Sequence, residues 1–372
     1  MSLLRTTAIL LAASPIASAY PAKRDASVCT EIRQRVPWSN LTIEEKDSYI
    51  QADLCLINSP SKGEIPGAVS RWDDLQWPHV VQTDSVHFVG AFLPFHRYYM
   101  TAHERLIKDE CGYTGRMPYW DETADILTFP ETDMWSEAYF GGDGTGQGNC
   151  VETGPFANLT LRWVQDGSVS EHCLTRRFSQ RSLQAASLDN IARCSVIGNY
   201  TDAWQCFSNG PHGSGHGGVG GIMSDATLSP GDPSFYLHHS WLDKLWWDWQ
   251  ALDLPARLTD IGGPNLPGSD AFPGGGGGGG FPGGNGSFPF PGGNGSFPGF
   301  PGSPGGGGGG GGGGGKLPGN GKGTGPEFTD YFGDNGNITT LNHRLYMAEI
   351  FPNITIADIM DIGGDVICSE YL

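Results

Sequence analysis

Apolar positions organise the chain into four helical stretches separated by long irregular segments. Behind Thr42-Ile43-Glu44-Glu45, which has capping-box form, Ile43, Ile50, Leu54 and Ile57 recur at helical spacing and predict a first helix. A second helical stretch is read from Val80 to His87. A third runs from Pro94 to about Lys108, with the proline near its start, where a missing N–H is tolerated. Residues 110–210 mix Gly, Asp and aromatics without a sustained period and predict loops with short elements. The last long helix starts near Pro233 and carries Phe235, Leu237, Leu242, Leu245 and Trp246. The fold expected is mainly α, with extensive loops and few short strands.

The pattern then vanishes. Residues 263–326 are almost entirely Gly, Pro, Asn, Ser and Phe, with an unbroken glycine run from Gly305 to Gly315. The heptamer Phe-Pro-Gly-Gly-Asn-Gly-Ser occurs twice, at 281–287 and 290–296. Such a composition cannot bury enough apolar surface to offset its ordering entropy, so this segment is read as a disordered loop inserted into the fold. Folded sequence is expected to resume at Phe328.

Composition and charge exclude some classes. Of 372 residues 38% are hydrophobic, enough for a sizeable core. Lys and Arg number 22 against 40 Asp and Glu, a net charge of −18, which argues against a nucleic-acid partner because phosphate binding needs clustered cations. Outside the first twenty residues no apolar run is long enough to span a bilayer.

Those first residues read as a targeting segment. Arg5 precedes the run Ala8–Ala13, and Ala17-Ser18-Ala19 supplies a small-residue cleavage pattern, so residues 1–19 are expected to be a signal peptide. Lys23-Arg24 follows, making 20–24 a short propeptide and 25–372 the mature domain. A secreted, extracellular protein is expected, without a membrane partner. Eight cysteines, scattered and without a C-x-x-C pair, then suggest up to four disulfides, among 105 possible pairings. Sequons at Asn40, Asn158, Asn199, Asn285, Asn294, Asn337 and Asn353 fit a glycoprotein.

Eight of the ten histidines fall into two groups, His79, His87, His96 and His103, then His212, His216, His238 and His239. Nitrogens on one metal ion sit about 3–4 Å apart, because the bonds are about 2 Å long. His96 and His103, seven residues apart, share a helix face but are separated by about 10 Å along it, so His103 reads as structural. Gly90 and Pro94 argue for a break that lets His87 and His96 converge. His212 and His216 have i, i+4 spacing, yet the glycines around them make a poor helix, so the fold must impose the turn. His172 and His343 read as ordinary structural histidines. Imidazole-only groups disfavour magnesium and calcium and suit copper, zinc or iron.

The stretch His87-Phe88-Val89-Gly90-Ala91-Phe92-Leu93-Pro94-Phe95-His96-Arg97, with Glu104 beyond it, resembles the first copper signature of tyrosinases and catechol oxidases. Asp232-Pro233-Ser234-Phe235-Tyr236-Leu237-His238-His239-Ser240-Trp241-Leu242-Asp243, with Trp246, resembles the second. Pro118-Tyr119-Trp120-Asp121 is similar to a further family segment, and the likeness covers roughly residues 27–262 and 328–370. It implies a four-helix-bundle core holding two copper ions. By position it implies that His79, His87 and His96 hold one ion and His212, His216 and His239 the other, with His238 beside them and structural. Phe235 would pack near the ligands, and Asp243 would orient a ligand imidazole.

The resemblance also implies an activity: oxidation by O2 of o-diphenols, or o-aminophenols, to o-quinones. This sequence departs from the family at three places. Ser85 stands where many members carry a cysteine linked to a ligand, Gly213 where hydroxylating members often have Asn or Asp, and Ala226 where a gating residue often sits. Gly213 points to diphenol oxidation rather than monophenol hydroxylation, and the small Ala226 to an open site. A true tyrosinase, an enzyme dedicated to one phenolic secondary metabolite, and a non-enzymatic oxygen-binding protein are the alternatives.

Overall fold

A computed structural model describes residues 29–267 and 332–372. Strand β1 (Arg33–Pro37) leads into helix α1 (Ile43–Asn58), then α2 (Arg71–Val86) and α3 (Phe92–Cys111). Strand β2 (Met117–Tyr119) and the single turn α4 (Glu122–Asp125) follow. Next come the hairpin β3 (Thr160–Trp163) and β4 (Val169–Cys173) and the short helices α5 (Gln180–Leu183), α6 (Leu188–Ser195) and α7 (Tyr200–Phe207). A π-helical turn at Ser208–His212 runs into α8 (Gly213–Val219), and α9 spans Ser234–Ala251. The chain ends in β5 (Arg344–Leu345), β6 (Ile354–Thr355) and β7 (Ser369–Tyr371). The fold is mainly α, as the apolar periodicity predicts.

Local chemistry sets the helix ends. The Thr42 hydroxyl accepts from Glu45 N while the Glu45 carboxylate accepts from Thr42 N, the capping box expected of α1. Helix α2 begins earlier than its apolar pattern suggests, because Ser70 and Asp73 form the same reciprocal cap. It also kinks. Pro78 lies inside it, and Gln82 leaves helical geometry with φ −129° and ψ 20°.

Helix α3 is buried on nearly every face, as is α9 with Trp241, Trp246 and Trp249, and the two pack against each other. Helices α2, α3, α8 and α9 carry the two histidine groups in the core, and α1 packs against α2 and α3. Strand β1 is the middle strand of a parallel sheet ordered β2-β1-β7, with Arg35 opposite Met117 and Tyr371. All eight cysteines pair, as Cys29–Cys368, Cys55–Cys111, Cys150–Cys173 and Cys194–Cys206. Disulfides persist in oxidising compartments, which suits an extracellular protein. No helix among the described residues is long and apolar enough to cross a membrane.

The segments read from sequence as signal peptide (1–19) and propeptide (20–24), and most of the Gly/Pro-rich insertion, lie outside the described residues. Residues 263–267, read from sequence as the start of that insertion, pack onto the core instead. Gly90 N donates to Pro264 O, Asn265 N donates to Asn337 O, and Pro264 bridges to Ile338. Gly90 is required here, because a Cβ would lie 2.0 Å from the Gly262 carbonyl oxygen.

Candidate metal centre

The first histidine group is assembled at the junction of α2 and α3. His79 lies on α2 before the kink, His87 sits just past its end in extended conformation, and His96 lies in the early turns of α3. Their rings meet edge to face or tilted, with centroids 4.9 Å (His79–His87), 5.5 Å (His79–His96) and 5.2 Å (His87–His96) apart. The kink at Gln82 is what aims the last turn of α2 so that His87 closes on the other two. Gln82 itself is held there by a bond to Tyr346 O of 2.8 Å.

The second group joins α8 and α9. The π-helical turn carries Pro211 and delivers His212, α8 supplies His216 one turn later, and α9 supplies His238 and His239. His212 and His216 are 4.4 Å apart by centroid, and His239 lies 5.2 and 5.3 Å from them. A π-turn inserts one residue per turn and re-aims the helix after it, which is how a glycine-rich segment presents two imidazoles to one point. The two groups face each other, with His96 stacked on His239 at 4.2 Å and 12°.

The donor chemistry fits metal ions. The Nδ1 atoms of His79, His87, His96, His212 and His216 face the carbonyl oxygens of Thr227, Thr83, Phe92, Ser208 and Met223 at 2.5–3.2 Å. A carbonyl only accepts, so each Nδ1 carries the proton and each Nε2 is left with its lone pair. The Nε2 atoms of His79 and His96 are buried with no hydrogen-bond partner in the protein. Nε2 of His216 and His239 lie 3.2 Å apart, close to the roughly 3.3 Å between two nitrogens bonded at about 2.0 Å to one tetrahedral ion. One ligand atom from each of His79, His87 and His96 falls within 4.8 Å of the others, and so do those of His212, His216, His238 and His239.

Electrostatics agree. Burial, reinforced by neighbouring imidazoles, drives His79, His96, His212, His216 and His239 well below the usual histidine range, and burial lowers His87 to about 4. All are therefore neutral at physiological pH, the form that binds metal. The set lacks carboxylate and thiolate donors, which fits copper with imidazole ligands.

The other residues singled out from sequence occupy distinct places around this centre. Phe235 is buried with its ring 4.1 Å from His239 and 5.5 Å from His79. Phe92, which spacing does not reveal, lies 4.9 Å from His96 and 4.7 Å from His212. His103 belongs elsewhere, with Nε2 2.7 Å from Asp53 Oδ1 and its ring stacked on Tyr236. His343 bonds Asp334, and His172 bonds the Ser170 carbonyl. Gly213 opens α8 with φ −61°, and a Cβ there would meet nothing within 4 Å.

One expectation is corrected. Asp243 does not orient a ligand imidazole. Its Oδ1 accepts from Arg97 Nε at 2.5 Å, and its Oδ2 from Arg35 Nη1 at 3.0 Å and Tyr371 Oη at 2.6 Å. Backbone carbonyls do the orienting that the sequence suggests for a carboxylate. Ala226 is 1% exposed, and every histidine of the two groups is 2% exposed or less. The next residue, Thr227, offers its carbonyl oxygen to His79 Nδ1 at 3.0 Å.

One residue escapes sequence reasoning altogether. Glu122, next to the Pro118–Asp121 segment, is fully buried and its Oε1 accepts from His238 Nδ1. Ser214 Oγ lies 2.7 Å from its Oε2. The partners are 116 and 92 residues away, so no spacing announces them.

Comparison with known proteins agrees with this geometry. The model for the common central domain of tyrosinase matches residues 69–252, the stretch that holds both histidine groups. The tyrosinase-like protein phomQ1' of Diaporthe leptostromiformis is 32% identical over 260 residues, 63% of this chain and 68% of that one. Tyrosinase ustQ of Aspergillus flavus is 32% identical over 252 residues, 64% and 69% of the two chains. The N-acetyl-6-hydroxytryptophan oxidase ivoB of Emericella nidulans is 30% identical over 308 residues, 67% and 82%. A polyphenol oxidase structure from Thermothelomyces thermophila shares the fold with a TM-score of 0.67 at 23% identity, covering 92% of this chain and 89% of that one. With two buried histidine groups in the core and this degree of kinship, the chain belongs to the tyrosinase family of oxidases, whose members use a dinuclear copper site.

Proposed function

We propose that this protein is a secreted oxidase that uses O2 to convert o-diphenols to o-quinones, or o-aminophenols to o-quinone imines. The observation that carries the reading is the pair of facing imidazole groups, stacked through His96 and His239. His79, His87 and His96 would hold one copper ion and His212, His216 and His239 the other. When bound, the two ions supply the reduction of one O2 to two waters as two o-diphenols each lose two electrons and two protons.

The chain's own residues do the rest. Five backbone carbonyls fix five imidazoles as Nδ1–H tautomers, so no proton need leave before the lone pairs are used. Phe235 and Phe92 each pack against imidazoles of both groups. Their faces and edges also suit an aromatic ring as substrate. Gly213 offers no side chain to take a proton from a monophenol, which supports diphenol oxidation. A dedicated aromatic metabolite is the second reading, favoured by kinship to the oxidase of N-acetyl-6-hydroxytryptophan.

Oxygen uptake by copper-loaded protein with catechol, o-aminophenol and tyrosine, beside His239→Ala, tests this. Uptake with the first two but not tyrosine is expected, and none with the variant. Gly213→Asn meets no clash and needs no change of backbone, so it should fold normally and raise the tyrosine-to-catechol rate ratio at least fivefold. Loaded wild-type protein that consumes no oxygen with any of the three refutes the reading.

A further inference from the structure

Seven histidines converge on the centre, although six complete two three-imidazole sites. The seventh, His238, is fully buried, and one of its ring nitrogens lies within 4.8 Å of the ligand atoms of His212, His216 and His239. Its Nδ1 bonds Glu122 Oε1. Its Nε2 is buried with no hydrogen-bond partner in the protein. The ring is therefore the one tautomer that could ligate a metal, with a free lone pair, beside an ion that needs only three imidazoles and an open position for its substrates.

What restrains it is visible. Glu122 Oε1 anchors the ring from the side opposite Nε2, and Glu122 is held in turn by Ser214 on α8 at 2.7 Å. Gly215 leaves room for this contact: a Cβ there would lie 2.2 Å from His238 Nδ1 and 2.3 Å from Glu122 Oε1. Every other anchored imidazole of the two groups is tied to a backbone carbonyl, which no side-chain substitution removes. His238 instead hangs on a side chain, that of Glu122.

We infer that Glu122 is a positioning residue that keeps His238 out of the coordination shell of the second metal, preserving its open position. This rests on the copper-oxidase reading above. Without the tether, the His238 ring is free to turn its lone pair to the ion as a fourth imidazole and block access.

The test compares Glu122→Leu with the double variant Glu122→Leu/His238→Phe, each loaded with Cu(II). Readouts are copper per chain, nitrogen ligands per copper from electron paramagnetic resonance and X-ray absorption, and oxygen uptake with catechol. The single variant should keep two coppers, gain one nitrogen at one of them, and lose uptake on the order of 10–100-fold, the usual reach of such an outer contact. The double variant should return to three nitrogens and recover to within about threefold of wild type. It also replaces both buried polar partners by apolar groups, which is close to neutral for folding. Glu122→Gln, whose amide oxygen can still accept from Nδ1, should resemble wild type.

Should Glu122→Leu not fold, Glu122→Asp shortens the tether while keeping its charge, and the same extra nitrogen is expected. An unchanged nitrogen count in the folded variant, or a double variant no more active than the single, overturns the inference. Loaded wild-type protein without oxygen uptake overturns the oxidase reading instead, and leaves the nitrogen counts to decide this one.

Discussion

Asp243→Ala separates an architectural carboxylate from one that tunes a ligand. In the wild type this buried group accepts from Arg97, Arg35 and Tyr371 at 2.5, 3.0 and 2.6 Å, so one carboxylate bridges two buried guanidiniums. Arg97 keeps Gln250 and the carbonyls of Ile359 and Met360, and Arg35 keeps Glu104, so the loss is partly cushioned. Removing one partner of a buried ion pair costs about 3–5 kcal/mol, because the other charge stays buried. At about 2–4 °C per kcal/mol for a large domain, the melting temperature should fall by roughly 6–20 °C. Asp243→Asn, which keeps one acceptor oxygen and the shape, should lose about half as much.

The assay is scanning calorimetry at a fixed rate, paired with copper content and oxygen uptake per copper at 20 °C. Because Asp243 touches none of the imidazoles, copper should stay at two per chain and turnover per copper within about twofold of wild type. Turnover reduced more than tenfold with an unchanged melting temperature would refute this and return Asp243 to the ligands.

Two further outcomes are expected of the fold. The Arg116 guanidinium, hydrogen-bonded to Glu45, holds that carboxyl at about 2, below its ordinary 4.5. A depressed carboxyl stabilises above its unfolded pKa and ceases to as pH falls through the folded one. Glu45→Gln should therefore cost about 0.5–1 kcal/mol at pH 7, as an exposed pair does, and the melting-temperature gap to wild type should close between pH 4.5 and 2. A gap independent of pH contradicts this. Cys29→Ser/Cys368→Ser opens a link between residues 339 apart and should cost about 2–4 kcal/mol in a melting experiment while copper content stays at two. Loss of copper without loss of stability would show that the link serves the metal centre instead.

Much of this molecule is legible along the chain. Helix α1 is written in its capping box, α3 and α9 in their apolar residues, and the break between His87 and His96 in Gly90 and Pro94, because these are local properties of a few consecutive residues. The earlier start of α2 is signalled too, in a Ser70–Asp73 cap that apolar periodicity overlooks. Two histidine groups stand out by density alone, and His103 excludes itself by the rise of one helix.

Tertiary structure decided what depends on residues far apart in sequence. The kink at Gln82 and the π-turn before His212 turn spacing into convergence, through contacts such as Gln82 to Tyr346, 264 residues away. Four disulfides were selected from 105 pairings by proximity in space. Asp243 is taken by two arginines rather than an imidazole, because β1 and α3 bring Arg35 and Arg97 to it across the fold. Glu122 meets His238 only because α4 closes over the α8–α9 contact. Local sequence fixes dihedrals and faces, whereas the partners of a buried charge are fixed by which elements the core forces together.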